Sequence, residues 1–261
     1  MENESADFVY GINPVRELLR AGRRNAKKIL IARERTPKPI EEILSIAKEK
    51  GVAVEWKEKR ELDRFSSAEN HQGIVCLTTP FQFEELYDSL DKKTKSSLPP
   101  FYIILDKITD PMNFGAIIRS SVVAGVTGII IPRHDSCPIT ATVVKASAGA
   151  IEYASIIKET NLVKVISVMK EKGIWIFGAD ERGKLPYTDV DFTVPLALVF
   201  GSEGKGISRL IKENCDEIMY IPSMPSDGSS KSGKMISLNV SAAFSAIAFE
   251  VARQRRVRFK L

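Results

Sequence analysis

An apolar run meets a glycine cluster in the stretch Leu198-Val199-Phe200-Gly201-Ser202-Glu203-Gly204-Lys205-Gly206. A run that ends this way is typical of a buried strand that feeds a tight loop. Glycine tolerates positive φ and allows a ligand or another backbone segment to come close. Glu203 is the one acid inside the loop, and packing gives little reason to place an acid between glycines. The stretch therefore predicts a binding loop at the end of a buried strand.

Two segments further along the chain extend this pattern. A second strand signal, Ile218-Met219-Tyr220-Ile221-Pro222, ends at a proline, which cannot continue a central ladder. The segment Ser237-Leu238-Asn239-Val240-Ser241 stands at the head of an apolar helix predicted over residues 239–253. Ser and Asn at such a position cap the free N–H groups of the first turn.

The region from Phe101 onward alternates apolar strands with helices. The predicted strands cover residues 102–105, 128–131, 174–177 and 196–200, and the predicted helices cover 113–123, 143–148 and 162–172. This alternation predicts an α/β fold with a mainly parallel sheet that helices cover on both faces. Ligands of such sheets bind beyond the carboxyl ends of the strands. The loops 106–115 and 201–206 and the segment after Pro222 are expected there.

Residues 8–77 have the pattern of a smaller α/β unit, and residues 78–100 that of a polar, proline-bounded linker with little to bury. Two helices are predicted in this unit, a short one from Asn13 and one over residues 39–50. Basic residues collect in and between them: Arg16, Arg20, Arg23, Arg24, Lys27, Lys28, Arg33, Arg35 and Lys38. Acids thin out over the same span. This favours phosphate binding about as much as an ordinary solvated basic face.

The composition is that of a globular protein with a real core, since 44% of the 261 residues are hydrophobic. A net charge of +5 fits a nucleic-acid partner. The acidic, polar start of the chain is unlike a signal peptide, and no apolar run approaches the roughly 20 residues that span a bilayer. Three scattered cysteines without a CxxC indicate reduced thiols in a cytoplasmic protein, and with two histidines a metal site is not expected.

Three segments, in the order in which they follow along the chain, are similar to motifs of a known family: Asn113-Phe114-Gly115-Ala116-Ile117-Ile118-Arg119-Ser120, the Gly201 loop, and Ile221-Pro222 with Ser237-Leu238-Asn239-Val240-Ser241. They resemble the three signature motifs of the SpoU (TrmH-like) branch of the SPOUT RNA ribose 2′-O-methyltransferases. Lys145-Ala146-Ser147-Ala148-Gly149-Ala150 is similar to a segment between those motifs. Two N-terminal segments, Tyr10-Gly11-Ile12-Asn13-Pro14-Val15 and Asn70-His71-Gln72-Gly73-Ile74-Val75, are similar to the RNA-binding domain of two-domain members, notably bacterial 23S rRNA guanosine 2′-O-methyltransferases.

The resemblance implies a two-domain enzyme that uses S-adenosylmethionine. Residues 1–77 would form an L30e-like RNA-binding domain, 78–100 a linker, and 101–261 a catalytic domain with a deep trefoil knot from about Leu198 onward. The cofactor would be held bent in the knot. The protein would be a homodimer in which the partner completes each site. The reaction would place a methyl group on a ribose 2′-hydroxyl of structured RNA, most directly a guanosine of 23S rRNA.

The resemblance also assigns roles to residues. Those that would hold the cofactor are Phe200, Gly201, Ile221, Pro222 and Leu238, and those that would serve catalysis are Asn113, Arg119, Glu203, Ser237 and Asn239. Arg119 would meet the RNA at the reacting sugar. Because a guanidinium almost never loses its proton, gripping the phosphate and stabilising the developing alkoxide are favoured over action as a base.

Structural alternatives stand beside these roles. Arg119 could be a surface charge paired with an acid, Glu203 a plain loop acid, and Asn239 only a helix cap. The segment 223–236 is longer than the family's usual loop, and within it residues 228–234 mimic the phosphate loop G-x-x-x-x-G-K. Met235 then stands where that loop needs Ser or Thr for Mg²⁺, which argues against an NTPase.

Three other functions compete with methylation of rRNA. The first is the same chemistry on tRNA, against which the small domain at 8–77 argues. The second is an RNA-binding module without catalysis, against which the intact motif residues argue. The third is a dinucleotide-binding enzyme, but the glycine spacing after Gly201 departs from GxGxxG.

Overall fold

The computed structural model describes residues 8–35, 38–66, 70–91, 98–222 and 238–260. Its contacts divide the chain into two compact units. The first unit comprises Met1–Gln82, Asp110–Val122 and Cys137–Ala154, and the second comprises Phe83–Thr109, Val123–Ser136 and Ser155–Leu261.

The strands and helices follow the predicted order. In the described residues the strands are β1 Phe8–Tyr10, β2 Ala26–Ala32, β3 Ala53–Lys57, β4 Ile74–Thr78, β5 Phe101–Asp106, β6 Gly128–Pro132, β7 Ile156–Glu159, β8 Trp175–Ala179, β9 Leu185–Pro186, β10 Leu196–Gly201 and β11 Glu217–Tyr220. The α-helices of the same residues are α1 Ile12–Ala21, α2 Glu41–Glu49, α3 Lys59–Asp63, α4 Leu86–Asp91, α5 Pro111–Ala124, α6 Ala141–Ala146, α7 Leu162–Glu171, α8 Arg209–Glu213 and α9 Val240–Phe259. Every element predicted from the sequence is present, whereas the short elements β1, β7, β9, α3, α4 and α8 were not predicted.

The first unit contains a four-stranded mixed sheet in the order β1-β4-β2-β3. Strand β4 runs antiparallel to β1 and β2, and β2 runs parallel to β3. Helix α1 buries Val15, Leu18 and Leu19, which share one helical face. It stops at Gly22, whose φ of +64° is a left-handed conformation that glycine adopts without strain.

Five residues of the basic run pair with acids in the part of the chain that the structure describes. Arg24 forms a buried ion pair with Glu152. Further pairs join Arg16 to Glu17, Arg20 to Glu17 and Glu42, Lys28 to Glu55, and Arg33 to Glu58. Acids distant in sequence therefore neutralise part of this run.

The second unit contains a parallel sheet, as predicted. Its described strands follow the order β7-β6-β5-β10-β8-β11-β9, and every registered pair among them is parallel. Ala197 and Val199 of β10 belong to a core cluster with residues of α7 and α8. Phe200 packs against Phe244 of α9, with ring centroids 5.4 Å apart. The α/β fold with helices on both faces is thus confirmed.

Part of the segment interpreted as a linker is structured. Residues 86–91 form α4, Leu86 joins the core cluster of the second unit, and the Ser89 carbonyl accepts a hydrogen bond from the Tyr102 hydroxyl at 2.9 Å. The prediction that this segment buries little is therefore wrong. A few apolar residues spaced among charges were enough to anchor one helical turn and a half.

Helix α9 is longer than predicted. It was predicted to end at residue 253, whereas the arginines that follow continue the helix to Phe259. None of the described helices is both long and apolar enough to cross a membrane.

Candidate active site

Three neighbouring strands of the parallel sheet end around a cavity of about 830 Å³. The lining comes from residues 179–182 after β8, 200–206 after β10, 219–222 after β11, and the head of α9 from Leu238. All of these segments belong to the second unit. The volume lies in the range of small-ligand pockets, roughly 300–1,000 Å³. The carboxyl edge of a parallel sheet is also where ligands are expected.

The glycine loop, residues 201–206, is folded tightly on itself. The Gly206 N–H donates to the Ser202 carbonyl at 2.8 Å. A Cβ at Gly201 would lie 2.0 Å from the carbonyl carbon of Gly206, so no residue with a side chain fits there. Gly204 and Gly206 have φ of +81° and +65°, which other residues adopt only with strain. The sequence cluster is thus explained by close backbone approach.

A second close approach holds the turn after β8, part of which lines the cavity. The turn lies against β11, where the Asp180 N–H donates to the Met219 carbonyl at 3.0 Å and the Lys184 N–H donates to the Ile218 carbonyl at 3.1 Å. A Cβ at Gly183 would lie 2.6 Å from the carbonyl carbon of Met219. Backbone contacts therefore fix two of the segments that line the cavity.

Asp180 is a cavity residue that was not predicted. Its Oδ2 lies 2.8 Å from Lys212 Nζ, and its Oδ1 accepts a hydrogen bond from the Arg182 N–H at 2.9 Å. Burial by itself raises the pKa of the Asp180 carboxyl, but the hydrogen bonds from Lys212 and Arg182 outweigh it and leave that pKa below its ordinary value. The cavity wall therefore carries an ionised carboxylate at neutral pH.

Glu203 and Asn239, which were predicted to share the site, are in direct contact. Asn239 Nδ2 donates to Glu203 Oε1 at 2.6 Å. The other amide atom, Oδ1, accepts from the Ser241 N–H at 3.0 Å and from the Ala242 N–H at 3.4 Å. Asn239 is therefore the N-cap of α9 and also a partner of the loop acid, and its role in catalysis stays a prediction.

The five residues assigned to the cofactor all line the cavity: Phe200, Gly201, Ile221, Pro222 and Leu238. Phe200 and Gly201 are buried, whereas the Leu238 side chain is 54% exposed. Their role towards a cofactor stays a prediction. Among the described residues no three His, Cys, Asp or Glu side chains cluster closely enough to hold a metal ion.

Two of the residues assigned to catalysis lie on α5, in the first unit. Asp110 begins this helix, since its Oδ1 accepts a hydrogen bond from the Asn113 N–H at 2.7 Å. Arg119 is exposed, and within the described residues no acid pairs with its guanidinium. The alternative of a paired surface charge is thus not met in that part of the chain. Ser237 and the long loop 223–236 lie outside the described residues.

Helix α5 packs closely against the segment that follows α6. A Cβ at Gly115 would lie 2.4 Å from the Ala146 Cβ and 2.9 Å from the Ser147 nitrogen. The glycine in the first motif and the small residues at 145–150 therefore serve the same contact. It fixes the helix that presents Arg119.

A second unpredicted acid, Asp106, lies at the end of β5. It is 3% exposed, and its Oδ2 accepts hydrogen bonds from the backbone N–H of Ser208, at 2.6 Å, and from the Ser208 hydroxyl. Asp106 and Asp180 share one sequence signal, an acid placed directly after an apolar strand.

Comparisons with known proteins agree on one family. The SpoU rRNA Methylase family matches residues 100–249, and the family described as RNA 2′-O ribose methyltransferase substrate binding matches residues 8–84. The putative TrmH family tRNA/rRNA methyltransferase YacO of Bacillus subtilis is 35% identical over 97% of this chain and 98% of its own length.

Two further proteins extend the comparison. The 23S rRNA (guanosine-2′-O-)-methyltransferase RlmB of Pseudomonas putida is 33% identical over 96% of this chain and 97% of its own length. The crystal structure of the SpoU methyltransferase AviRb from Streptomyces viridochromogenes, in complex with AdoMet, has a TM-score of 0.76 at 24% identity. The superposition covers 96% of this chain and 90% of that one, and it supports the fold.

Proposed function

The chain belongs to the SpoU rRNA methylase family, a family of RNA 2′-O-methyltransferases, and we propose that it methylates the ribose 2′-hydroxyl of a guanosine in 23S rRNA. The observation that carries the proposal is the cavity at the carboxyl edge of the sheet, which the glycine loop and the head of α9 line, with the Glu203–Asn239 contact between them. The RlmB relative, which is named for guanosine methylation in 23S rRNA, supports the choice of substrate.

S-adenosylmethionine is the cofactor that we propose for this cavity. Close-packed glycine backbone leaves N–H and C=O groups near the cavity surface, and groups of this kind recognise the edge of a purine. Ile221, Pro222 and Leu238 supply apolar surface for the ring, and the Glu203 carboxylate suits hydroxyl and ammonium groups. When bound, the cofactor supplies a methyl group that its sulfonium makes electrophilic.

Arg119 is proposed to act on the RNA. It is an exposed guanidinium on a helix that the Gly115 contact holds firmly. A fixed cation beside the reacting sugar would bind the adjacent phosphate and stabilise the negative charge that develops on the 2′-oxygen. Glu203 and Asn239 are proposed to set the shape of the loop that faces the reactants, with Asn113 and Ser237 as further polar contacts.

The assembly is proposed to be a homodimer in which the partner completes each site. Phe249 and Val257 expose apolar side chains on α9, 46% and 70% of their surfaces respectively. Exposed apolar side chains that form a contiguous patch mark protein–protein interaction sites. We further propose a trefoil knot from about Leu198 and a cytoplasmic location, the latter in keeping with the free thiols.

The N-terminal residues, 1–77, are proposed to form an L30e-like domain that binds RNA. The substrate-binding match over residues 8–84 supports this. Methylation of tRNA is the second candidate, since the YacO relative is named for both RNA classes.

The proposal is tested by incubating the protein with radiolabelled S-adenosylmethionine and either unmodified 23S rRNA or unmodified tRNA. Label is expected in 23S rRNA, and mapping of alkali-resistant positions should place it on a guanosine ribose. Label in tRNA alone would show that tRNA, and not 23S rRNA, is the substrate. Failure of the protein to bind the cofactor in calorimetry would overturn the proposed function.

Arg119→Ala separates chemistry from cofactor binding. This variant should bind S-adenosylmethionine with unchanged affinity and transfer methyl at least about 100-fold more slowly, because an electrostatic contact to the transition state is lost. Arg133→Ala, which removes another exposed arginine, is the matched control and should retain activity. Transfer at the wild-type rate by Arg119→Ala would show that this guanidinium has no part in the reaction.

A further inference from the structure

We infer that two carboxylates, Asp106 and Asp180, hold the glycine loop in place from its two sides and act as positioning residues for the cofactor cavity. They lie at the ends of β5 and β8, the two strands that flank β10. The inference rests on the proposed function, because it assigns the cavity to a cofactor. It adds two residues to the site that none of the motifs contains.

The first anchor is on the β5 side. Asp106 is paired in register with Gly201, the residue at which β10 becomes the loop. Its carboxylate accepts hydrogen bonds from both the N–H and the hydroxyl of Ser208, which follows the loop by two residues. One buried carboxylate therefore joins the strand end to the chain that leaves the loop.

The second anchor is on the β8 side. The Asp180 carboxylate forms an ion pair with Lys212 of α8, and its side chain is only 12% exposed. A Cβ at Gly206 would lie 3.4 Å from Asp180 Oδ2, so the carboxylate lies directly against the last glycine of the loop. The turn that carries Asp180 is itself bound to β11 through the Met219 carbonyl.

The loop is attached to α9 through the Glu203–Asn239 hydrogen bond, and the two aspartates act on its two ends. Within the loop, the Gly201 and Gly206 backbones are in close contact, so the two ends lie together. A Cβ at Gly204 would meet nothing within 4 Å, so the tip is free of packing. Asp106 through Ser208 and Asp180 through Lys212 fix the segment on which the loop ends. A loop held in its binding conformation loses less entropy when the ligand binds.

The test compares cofactor affinity with stability in Asp180→Asn, Asp106→Asn and Ser208→Ala. Each should weaken S-adenosylmethionine binding roughly tenfold in calorimetry, the usual effect of losing a hydrogen bond to a charged group. The KM for the cofactor should rise by the same factor while kcat at saturation stays nearly constant, because the loss affects binding alone. Ser208→Ala removes only the hydroxyl, which keeps the test valid if the buried Asp106→Asn change prevents folding.

Two controls isolate the positioning role. Glu213→Gln breaks an exposed ion pair with Arg209 on the same helix α8 and should leave the affinity unchanged. The exchange of charges in Asp180→Lys with Lys212→Asp should recover part of the affinity that Asp180→Lys alone loses.

The outcomes also separate the two proposals. If the wild-type protein binds no S-adenosylmethionine, the proposed function fails. If the wild type binds it and the anchor variants bind it equally well, or lose only thermal stability, the inference fails and the proposed function stands.

Discussion

Asn239 shows how one amide side chain joins helix formation to site geometry. Its oxygen caps α9 and its nitrogen holds Glu203, 36 positions earlier in the chain. An aspartate would cap the helix equally well, but its ionised carboxylate has no donor to give to Glu203. The choice of asparagine at this position is therefore explained by the contact with Glu203.

The three cysteines illustrate the effect of burial on single residues. Burial raises the pKa of Cys76 and of Cys215 to about 12 and that of Cys137 to about 11. Because only the thiolate is nucleophilic, none of the three should react appreciably with iodoacetamide at pH 8 in the folded protein. All three should react in denaturant, where the pKa returns to about 8.5. Mass spectrometry of both samples checks this, and rapid labelling of the native protein would contradict it.

At the scale of an element, α9 is held by an arginine that forms no ion pair with the acids of the described residues. Arg255 is 5% exposed and donates to the carbonyls of Pro99, Pro100, Phe192 and Val194, while its guanidinium lies 5.5 Å from the centre of the Phe101 ring. Burial lowers its pKa to about 10, so the side chain remains charged at neutral pH. The helix is thereby tied to the start of β5 and to the chain before β10.

Arg255→Met should lower the free energy of unfolding by on the order of 3 kcal/mol, because several buried carbonyls lose their donor at once. The stability of Arg255→Lys should fall between those of the wild type and Arg255→Met, since an ammonium cannot reach all four carbonyls that the planar guanidinium reaches. Arg253→Met on the same helix breaks only an exposed pair with Glu250 and should leave the urea midpoint unchanged. Equal midpoints for Arg255→Met and Arg253→Met would show that the buried guanidinium adds nothing to stability.

At the scale of the molecule, residues distant in sequence form the first unit together. The segment 149–154 packs on α1, where a Cβ at Gly149 would lie 2.8 Å from the Glu17 Cβ and the Tyr153 hydroxyl donates to Glu17 at 2.9 Å. Arg24 and Glu152 form a buried pair nearby, and Arg24 Nη1 has no hydrogen-bond partner among the described residues. Residues 149–154, which precede β7, are thus fastened to α1 and Arg24.

Glu152→Gln should destabilise the protein by about 3–5 kcal/mol, because it leaves the Arg24 charge buried without compensation. Replacing both residues by apolar ones, as in Arg24→Met with Glu152→Leu, should recover much of that loss. Glu55→Gln, which breaks the exposed pair with Lys28, serves as the control. Urea denaturation measures all three, and hydrogen exchange at residues 149–154 should rise in Glu152→Gln. Unchanged stability and exchange in that variant would show that the pair does not fasten the segment.

The sequence by itself determined the alternation of strands and helices, the parallel sheet and the three glycine- and asparagine-bearing segments, because each depends on neighbours along the chain. The resemblance of its motifs also led to five of the residues that line the cavity. The sequence misjudged the burial of residues 86–91, where Leu86 joins the core despite a polar composition, and it placed the end of α9 too early.

Only the tertiary structure decided which polar and charged side chains are in contact. Asp106 with Ser208, Asp180 with Lys212, Glu203 with Asn239 and Arg24 with Glu152 are separated by 32 to 128 positions. Local patterns carry no information on such pairs, because strand order and crossover connections bring them together. The same physical reason explains why acids distant in sequence, such as Glu152 and Glu55, neutralise part of the basic run in the folded protein.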